Sequence, residues 1–193
     1  RHDLAQFIPA TAELALYSIA FAAVVGVTFG IISALRRNRP TDHALRVASL
    51  AGISMPTFWI ALIVLYVGFY RLGWFPGGQR LDPGTSPPPS VTGMYTVDAL
   101  LDGNLGLFGT SFHHLLLPAL VLAAFNVSLL TRFTRSAVLE VVGNDYVRAG
   151  RAKGMPERIV VRRYILRAAL PAVVTVLGLV FATRGEIEVL GRP

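Results

Sequence analysis

His113 and His114 are the most metal-like pair in the chain. Adjacent residues on a helix point about 100° apart. No third ligand sits at a useful spacing, so the pair does not read as a metal site. The sequence has no cysteine, which removes thiolate chemistry and disulfides. It also has no GxxxxGK[ST] loop to cradle phosphates, no HExxH and no nucleophile elbow. Glu13 stands near the start of an apolar run and reads as interfacial rather than catalytic. No catalytic residue, metal or cofactor is assigned. Asn126 and Ser128 are polar residues inside an apolar run. They are candidates for lining a pathway or, preferably, for bonding to another helix. Asp98 and Asp102 could contact a delivering protein or a substrate; a solvated loop is the plainer reading.

The densest charge lies between Asp145 and Pro171. Arg148, Arg151, Lys153, Arg158, Arg162, Arg163 and Arg167 stand there against Asp145 and Glu157. Ser136 to Val142 is helix-compatible, and Gly143-Asn144 is a stop signal. Asp145 is placed to cap a short helix over Tyr146–Lys153. Gly154 ends that helix, because glycine tolerates the left-handed conformation. Met155-Pro156-Glu157 restarts, with Pro156 at the first helical position. Val160, Val161, Tyr164, Ile165 and Ala168 then form an apolar face, while Arg158/Arg162 and Arg163/Arg167 pair at i, i+4.

These residues must be held by apolar elements. The chain has 193 residues, 53% hydrophobic and 15% charged, with net charge +7. Because the charges are confined to short segments between long apolar runs, they report membrane topology rather than nucleic-acid binding. Membrane-length runs fall at 11–35, 47–70 and 114–131, with a shorter one at 168–182. Pro56 is expected to kink the second run. Of the aromatics Trp59, Tyr66, Phe69, Tyr70 and Trp74, the last three cluster at its far end, as in an aromatic belt. Ala22, Gly26, Gly30 and Ala34 recur at i, i+4 and offer a face for close helix packing. The arginine-rich connectors, 36–46 and 132–167, are expected on the cytoplasmic side, and the Gly/Pro-rich loop 71–112 outside. Within that loop Asp98 to Asp102 reads as a short interfacial helix. The expected architecture is an all-α, polytopic transmembrane helix bundle, one domain over 1–193. The chain starts at Arg1 and changes character after Phe181, so it reads as a fragment with an incomplete fourth span.

The basic connector resembles the coupling loop of inner-membrane permease subunits of ATP-binding-cassette importers. That loop follows E-A-A, three residues, G, nine residues, I-x-L-P. Aligned on Gly154, the first three positions are Arg148, Ala149 and Gly150; the later ones are Tyr164, Leu166 and Arg167. Ala149, Gly154 and Leu166 match, and the proline comes at Pro171. DYVRAGRAKGMPER is similar to the variant of the dipeptide/oligopeptide/nickel branch. So are Ser49–Pro76 and the HLLLPAL at His114–Leu120, and the resemblance runs from about Ile8 to Val180.

The resemblance implies a type I importer permease in the prokaryotic inner or plasma membrane. Its partners would be membrane lipid, separate ATPase subunits, a second homologous permease and an extracytoplasmic solute-binding protein, with no nucleic acid. The substrate would be di- or oligopeptides; the alternatives are nickel or another small solute and, further off, a channel or intramembrane enzyme. Contact with the ATPase would fall to Asp145, Tyr146, Arg148, Ala149, Gly150, Ala152, Lys153, Gly154 and Arg158.

Overall fold

The computed structural model describes the backbone of residues 2–190 and the side-chain surroundings of residues 8–179. The regular elements among the described residues are helices, with no strand. The helices are α1 (His2–Leu35), α2 (Pro40–Ser54), α3 (Thr57–Leu65), α4 (Tyr95–Leu101), α5 (Leu105–Val142), α6 (Asp145–Ala152), α7 (Glu157–Ile159) and α8 (Arg167–Leu190). Two π-helical segments, Tyr66–Arg71 and Val160–Leu166, continue α3 and α7.

Among the described residues, α1 from Ile8 and α5 are long and apolar enough to cross a membrane. The pair interrupted at Met55-Pro56 would make a third crossing if it is one span. The boundaries differ from expectation in four places. Residues 2–10 belong to α1, with Pro9 inside the helix. The run 47–70 is not one continuous helix, being divided between α2 and α3 at Met55-Pro56. Pro56 takes extended backbone (φ −60°, ψ 137°) and starts α3 by accepting hydrogen bonds from the Trp59 and Ile60 amides. A proline also drives its preceding residue out of the helical region, so the helix breaks instead of bending. The third run, placed at 114–131, lies within the 38-residue α5. Ser136–Val142 is accordingly its last part and no separate helix. The expected change after Phe181 falls on residues whose surroundings lie outside the described set.

The chain forms two compact units. One comprises Arg1–Phe21 and Met55–Ala124, the other Ala22–Ser54 and Phe125–Pro193. In the first, the Gly/Pro-rich loop is tied to helices at both ends. The backbone closes on Gly68, whose carbonyl accepts from the Trp74 and Phe75 amides. The α4 helix stands where the short interfacial helix is expected. In the second unit, the face of α1 carrying Gly26 and Gly30 lies on α5. A Cβ built on Gly26 would stand 2.8 Å from Leu130 Cβ, and one on Gly30 2.8 Å from the Thr131 carbonyl oxygen. Ala34 then joins Val138, Val141, Val147, Val160, Ile165 and Ala169 in one apolar core.

Candidate functional site

In the second unit, α5 ends at Val142 and Asn144 turns the chain with extended backbone (φ −73°, ψ 148°). Asn144, not Asp145, occupies the cap position, and no side chain caps the helix. Asp145 lies in the first turn. There its negative charge suits the helix dipole, and it reaches Arg148 at 3.6 Å in full solvent. Lys153 closes α6, and Gly154 follows at φ +72°. That conformation is why a glycine stands there. Pro156 precedes α7 as its cap residue rather than its first helical residue.

α6 is two-faced. Val147 and Gly150 are buried, and Gly150 faces Val160 and Met155. The other side exposes Asp145, Tyr146, Arg148, Ala149, Arg151, Ala152 and Lys153. Gly150 is therefore part of the seat of α6. Arg151 donates two hydrogen bonds to Glu157, at 2.7 and 3.1 Å, and so clamps α6 to α7 across the Gly154 turn. The hydrogen bonds from Arg151 hold the Glu157 carboxyl below its ordinary range, against the opposing effect of burial.

The helix after this turn is wider than the sequence suggests. In the π segment Val160–Leu166 each turn takes an extra residue. The buried positions accordingly run Val160, Ile165, Ala169 and Val173, with a first step of five. An α-helical repeat put Ala168 on the buried face; it is exposed, and Ala169 takes its place. The arginines move with the same shift. Arg158, Arg162, Arg163 and Arg167 line one groove together.

Two polar clusters join residues that the sequence does not bring together. In the second unit, Asp42 is wholly buried. Its carboxylate accepts from Arg135 Nε (2.9 Å) and an Arg135 terminal nitrogen (3.0 Å), from the Ser33 hydroxyl (2.5 Å) and from the Asn38 amide (3.0 Å). One side chain thereby joins α1, the turn after it, α2 and α5. The only hint in the sequence is that Asp42 is the sole acid in the 36–46 connector.

In the first unit, Glu13 is only 1% exposed. It accepts from Arg80 at 2.8 Å and from the amide and hydroxyl of Thr96 at 2.7 and 2.5 Å. The Arg80 guanidinium also lies 3.6 Å from the centre of the Tyr95 ring.

Asp98 is equally enclosed and does not face outward for a delivering protein. It accepts from the amide and hydroxyl of Thr92 and from the Gly93 amide. Burial alone would raise its carboxyl, but these hydrogen bonds outweigh burial and hold it below the ordinary value near 3.8. A depressed folded-state value contributes stability that is complete above the unfolded value and fades as pH falls through the folded one. Hydrogen exchange at Thr92 and Gly93, corrected for intrinsic rates, is therefore expected to stay protected from neutral pH to about pH 4. Protection should fall below that. Asp98→Asn should weaken protection at neutral pH and flatten the profile. A profile in the variant identical to wild type would remove this role.

His113 and His114 turn to different partners. His113 Nε2 is 2.8 Å from the Trp74 carbonyl oxygen; His114 lies 3.0 Å from Asp82 and 3.3 Å from the Gly78 carbonyl oxygen. Asn126 and Ser128 are buried on α5, and both are engaged in interactions. Ala22 is buried on the same helix as Gly26 and Gly30.

Residues 26–184 match the family model described as binding-protein-dependent transport system inner membrane component. The chain is 45% identical over 177 residues to a probable D,D-dipeptide transport system permease protein of Escherichia coli (strain K12), covering 92% of this chain and 52% of the relative. It is 43% identical over 182 residues to a di/tripeptide transport system permease protein of Pseudomonas aeruginosa (strain UCBPP-PA14), covering 94% and 54%. It is 37% identical over 172 residues to an oligopeptide transport system permease protein of Bacillus subtilis (strain 168), covering 89% and 48%. The chain thus spans about half the length of the curated relatives it matches. With that match over most of its length and its apolar helices, the chain is a membrane protein and belongs to the family of binding-protein-dependent transport system inner membrane components.

Proposed function

We propose that this chain is the permease part of an ATP-driven importer of di- or oligopeptides. In this reading residues 1–193 belong to one transmembrane permease domain, paired with a second permease subunit. A binding protein delivers the peptide from outside, and separate ATPase subunits supply the energy. The chain has no phosphate-cradling loop of its own. The peptide substrate is supported by the names of the relatives, three of which are peptide permeases.

The observation that carries the coupling role is the seating of α6. Its buried side, Val147 and Gly150, fixes it on the core; its exposed side is free to meet another protein. A ligand bound elsewhere shifts a two-state element only through contacts that differ between the states. ATP held by another subunit must therefore act through a rigid exposed element on the cytoplasmic side, and α6 is such an element. Asp145, Tyr146, Arg148, Ala149, Ala152 and Lys153 form the contact face. Gly154 and Arg158 set the turn that follows, and Gly150 lets the helix sit close to Val160.

Gly154→Val is the test, made in the full-length protein assembled with its ATPase. Valine is strained at φ +72°, so the end of α6 must move. Peptide-stimulated ATP hydrolysis is expected to fall at least tenfold, with membrane insertion retained. Arg158→Glu should act in the same direction by reversing a charge at the edge of the contact face. Unchanged coupling in both variants would exclude α6 as the link.

A further inference from the structure

The arginines after the α6 turn carry more charge than a docking helix uses. Arg158, Arg162, Arg163 and Arg167 line an open groove of about 590 Å³, with Ile159 as its apolar wall. All four side chains are exposed. None is in an ion pair with an acid among the described residues, and the nearby Glu157 is already engaged by Arg151. Like charges gathered this closely repel one another, so the groove favours an anion that several guanidinium groups can share.

The residues that follow Arg167 along the same helix identify the anion's carrier. Leu170 and Val174 follow Arg167 at steps of three and four along α8, which places all three on one face. Both are exposed, at 53% and 59%. The surface thus passes from guanidinium groups to bare aliphatic side chains within two helical turns. A soluble phosphate would use only the first part, and an acidic protein surface would leave the second uncovered. A phospholipid uses both, with its headgroup at the arginines and an acyl chain along Leu170 and Val174.

We infer that this groove is a binding site for the phosphate headgroup of an anionic phospholipid on the cytoplasmic side of the membrane. The inference rests on the sidedness in the proposed function, not on the coupling role of α6. The π segment is what builds the site, because its extra residue per turn lets Arg158, Arg162, Arg163 and Arg167 converge.

The test is titration of the full-length permease, purified in a neutral detergent, with phosphatidylglycerol or phosphatidylcholine and detection of bound lipid by native mass spectrometry. Wild type is expected to retain phosphatidylglycerol in preference to phosphatidylcholine. The variant Arg162→Gln/Arg163→Gln/Arg167→Gln leaves Arg158 and α6 intact. Each basic residue near a lipid surface contributes roughly a fivefold factor, so this variant should bind phosphatidylglycerol on the order of 100-fold more weakly. Phosphatidylcholine binding should not change. The corresponding triple lysine variant should recover most of the affinity, which separates charge from folding.

Equal phosphatidylglycerol retention by wild type and the glutamine variant would overturn the inference. So would displacement of the lipid by millimolar inorganic phosphate, since the site would then take the anion without its chains. Loss of ATPase association with undiminished lipid binding would assign the arginines to the protein partner instead and overturn it too. Lys153→Cys, placed in a full-length background from which any other cysteine has been removed, gives a single label. Labelling only from the outside would defeat the sidedness, and with it the cytoplasmic placement of the groove, whatever the lipid titration gives.

Discussion

Asp42→Ala is expected to destabilise the full-length protein by about 3 kcal/mol, the lower end of the range for breaking a buried ion pair by removing one partner. The lower end applies because the Arg135 side chain keeps 20% of its exposure and can recover some hydration. The loss has three parts. Arg135 is left without its bidentate carboxylate. The Asn38 amide loses its acceptor in a turn where Asn38 already sits at φ 62°. The Ser33 hydroxyl loses its partner inside the fold.

Thermal unfolding of the purified protein in detergent, followed by tryptophan fluorescence, measures the change. Asp42→Asn should cost less, because the amide oxygen still accepts a hydrogen bond. Combining Asp42→Ala with Arg135→Met should cost less than the sum of the single changes. A coupling of about 1–3 kcal/mol is expected for directly bonded partners. A cycle that closes to zero would mean that the two groups do not depend on each other. The same unit carries α6.

Asp42 also shows what a sequence conceals. Its neighbours Arg36, Arg37, Arg39 and Arg46 make it look like one more solvated charge. Its real partner is Arg135, which is 93 residues away. The Glu13–Arg80 pair hides in the same way, across 67 residues. Pairing over such distances depends on which helices meet, and composition does not carry that.

Features set by local chemistry were legible. The apolar runs, the Gly143-Asn144 stop, the Gly154 turn and the short helix near Asp98 all follow from residue types acting on their own backbone. The exposed side of α6 belongs to this class, since Gly154 bounds the helix and Val147 orients it. Features set by hydrogen-bond register were not. The π segment at Val160–Leu166 changes no residue type, yet it replaces Ala168 by Ala169 in the core. The break at Pro56 was legible as a perturbation but not as a stop. A kinked helix and two helices share the same proline, and the course of the backbone around it decides between them.

Gly30→Val should have the largest effect of any single substitution on the packing of the second unit. At Gly30 an added Cβ would lie 2.5 Å from Thr134 Cβ and 2.8 Å from the Thr131 carbonyl oxygen. The second neighbour is backbone, so no rotamer change relieves the clash, and the helices must separate. At Gly26 the obstacles are Leu130 Cβ at 2.8 Å and the Val127 carbonyl oxygen at 3.0 Å. The small residues therefore set how closely α1 approaches α5. Between membrane helices that approach is the main source of association, because lipid is as apolar as the side chains it would replace. Overpacking typically costs 1–3 kcal/mol, and roughly the upper end is expected here because backbone must move. Gly30→Ala should already lower the unfolding temperature, and Gly30→Val should lose the monodisperse peak of full-length protein in size-exclusion chromatography. Gly109→Ala is the matched control, since nothing lies within 4 Å of a Cβ at that helical position. It should be neutral or stabilising by up to about 1 kcal/mol, the helix propensity difference between the two residues. Equal behaviour of the Gly30 and Gly109 variants would mean that close approach at Gly30 does not hold the helices together. A loss confined to Gly30 would make the spacing of α1 and α5 a determinant of the core that seats α6, because Ala34 and Val138 continue the same contact into it.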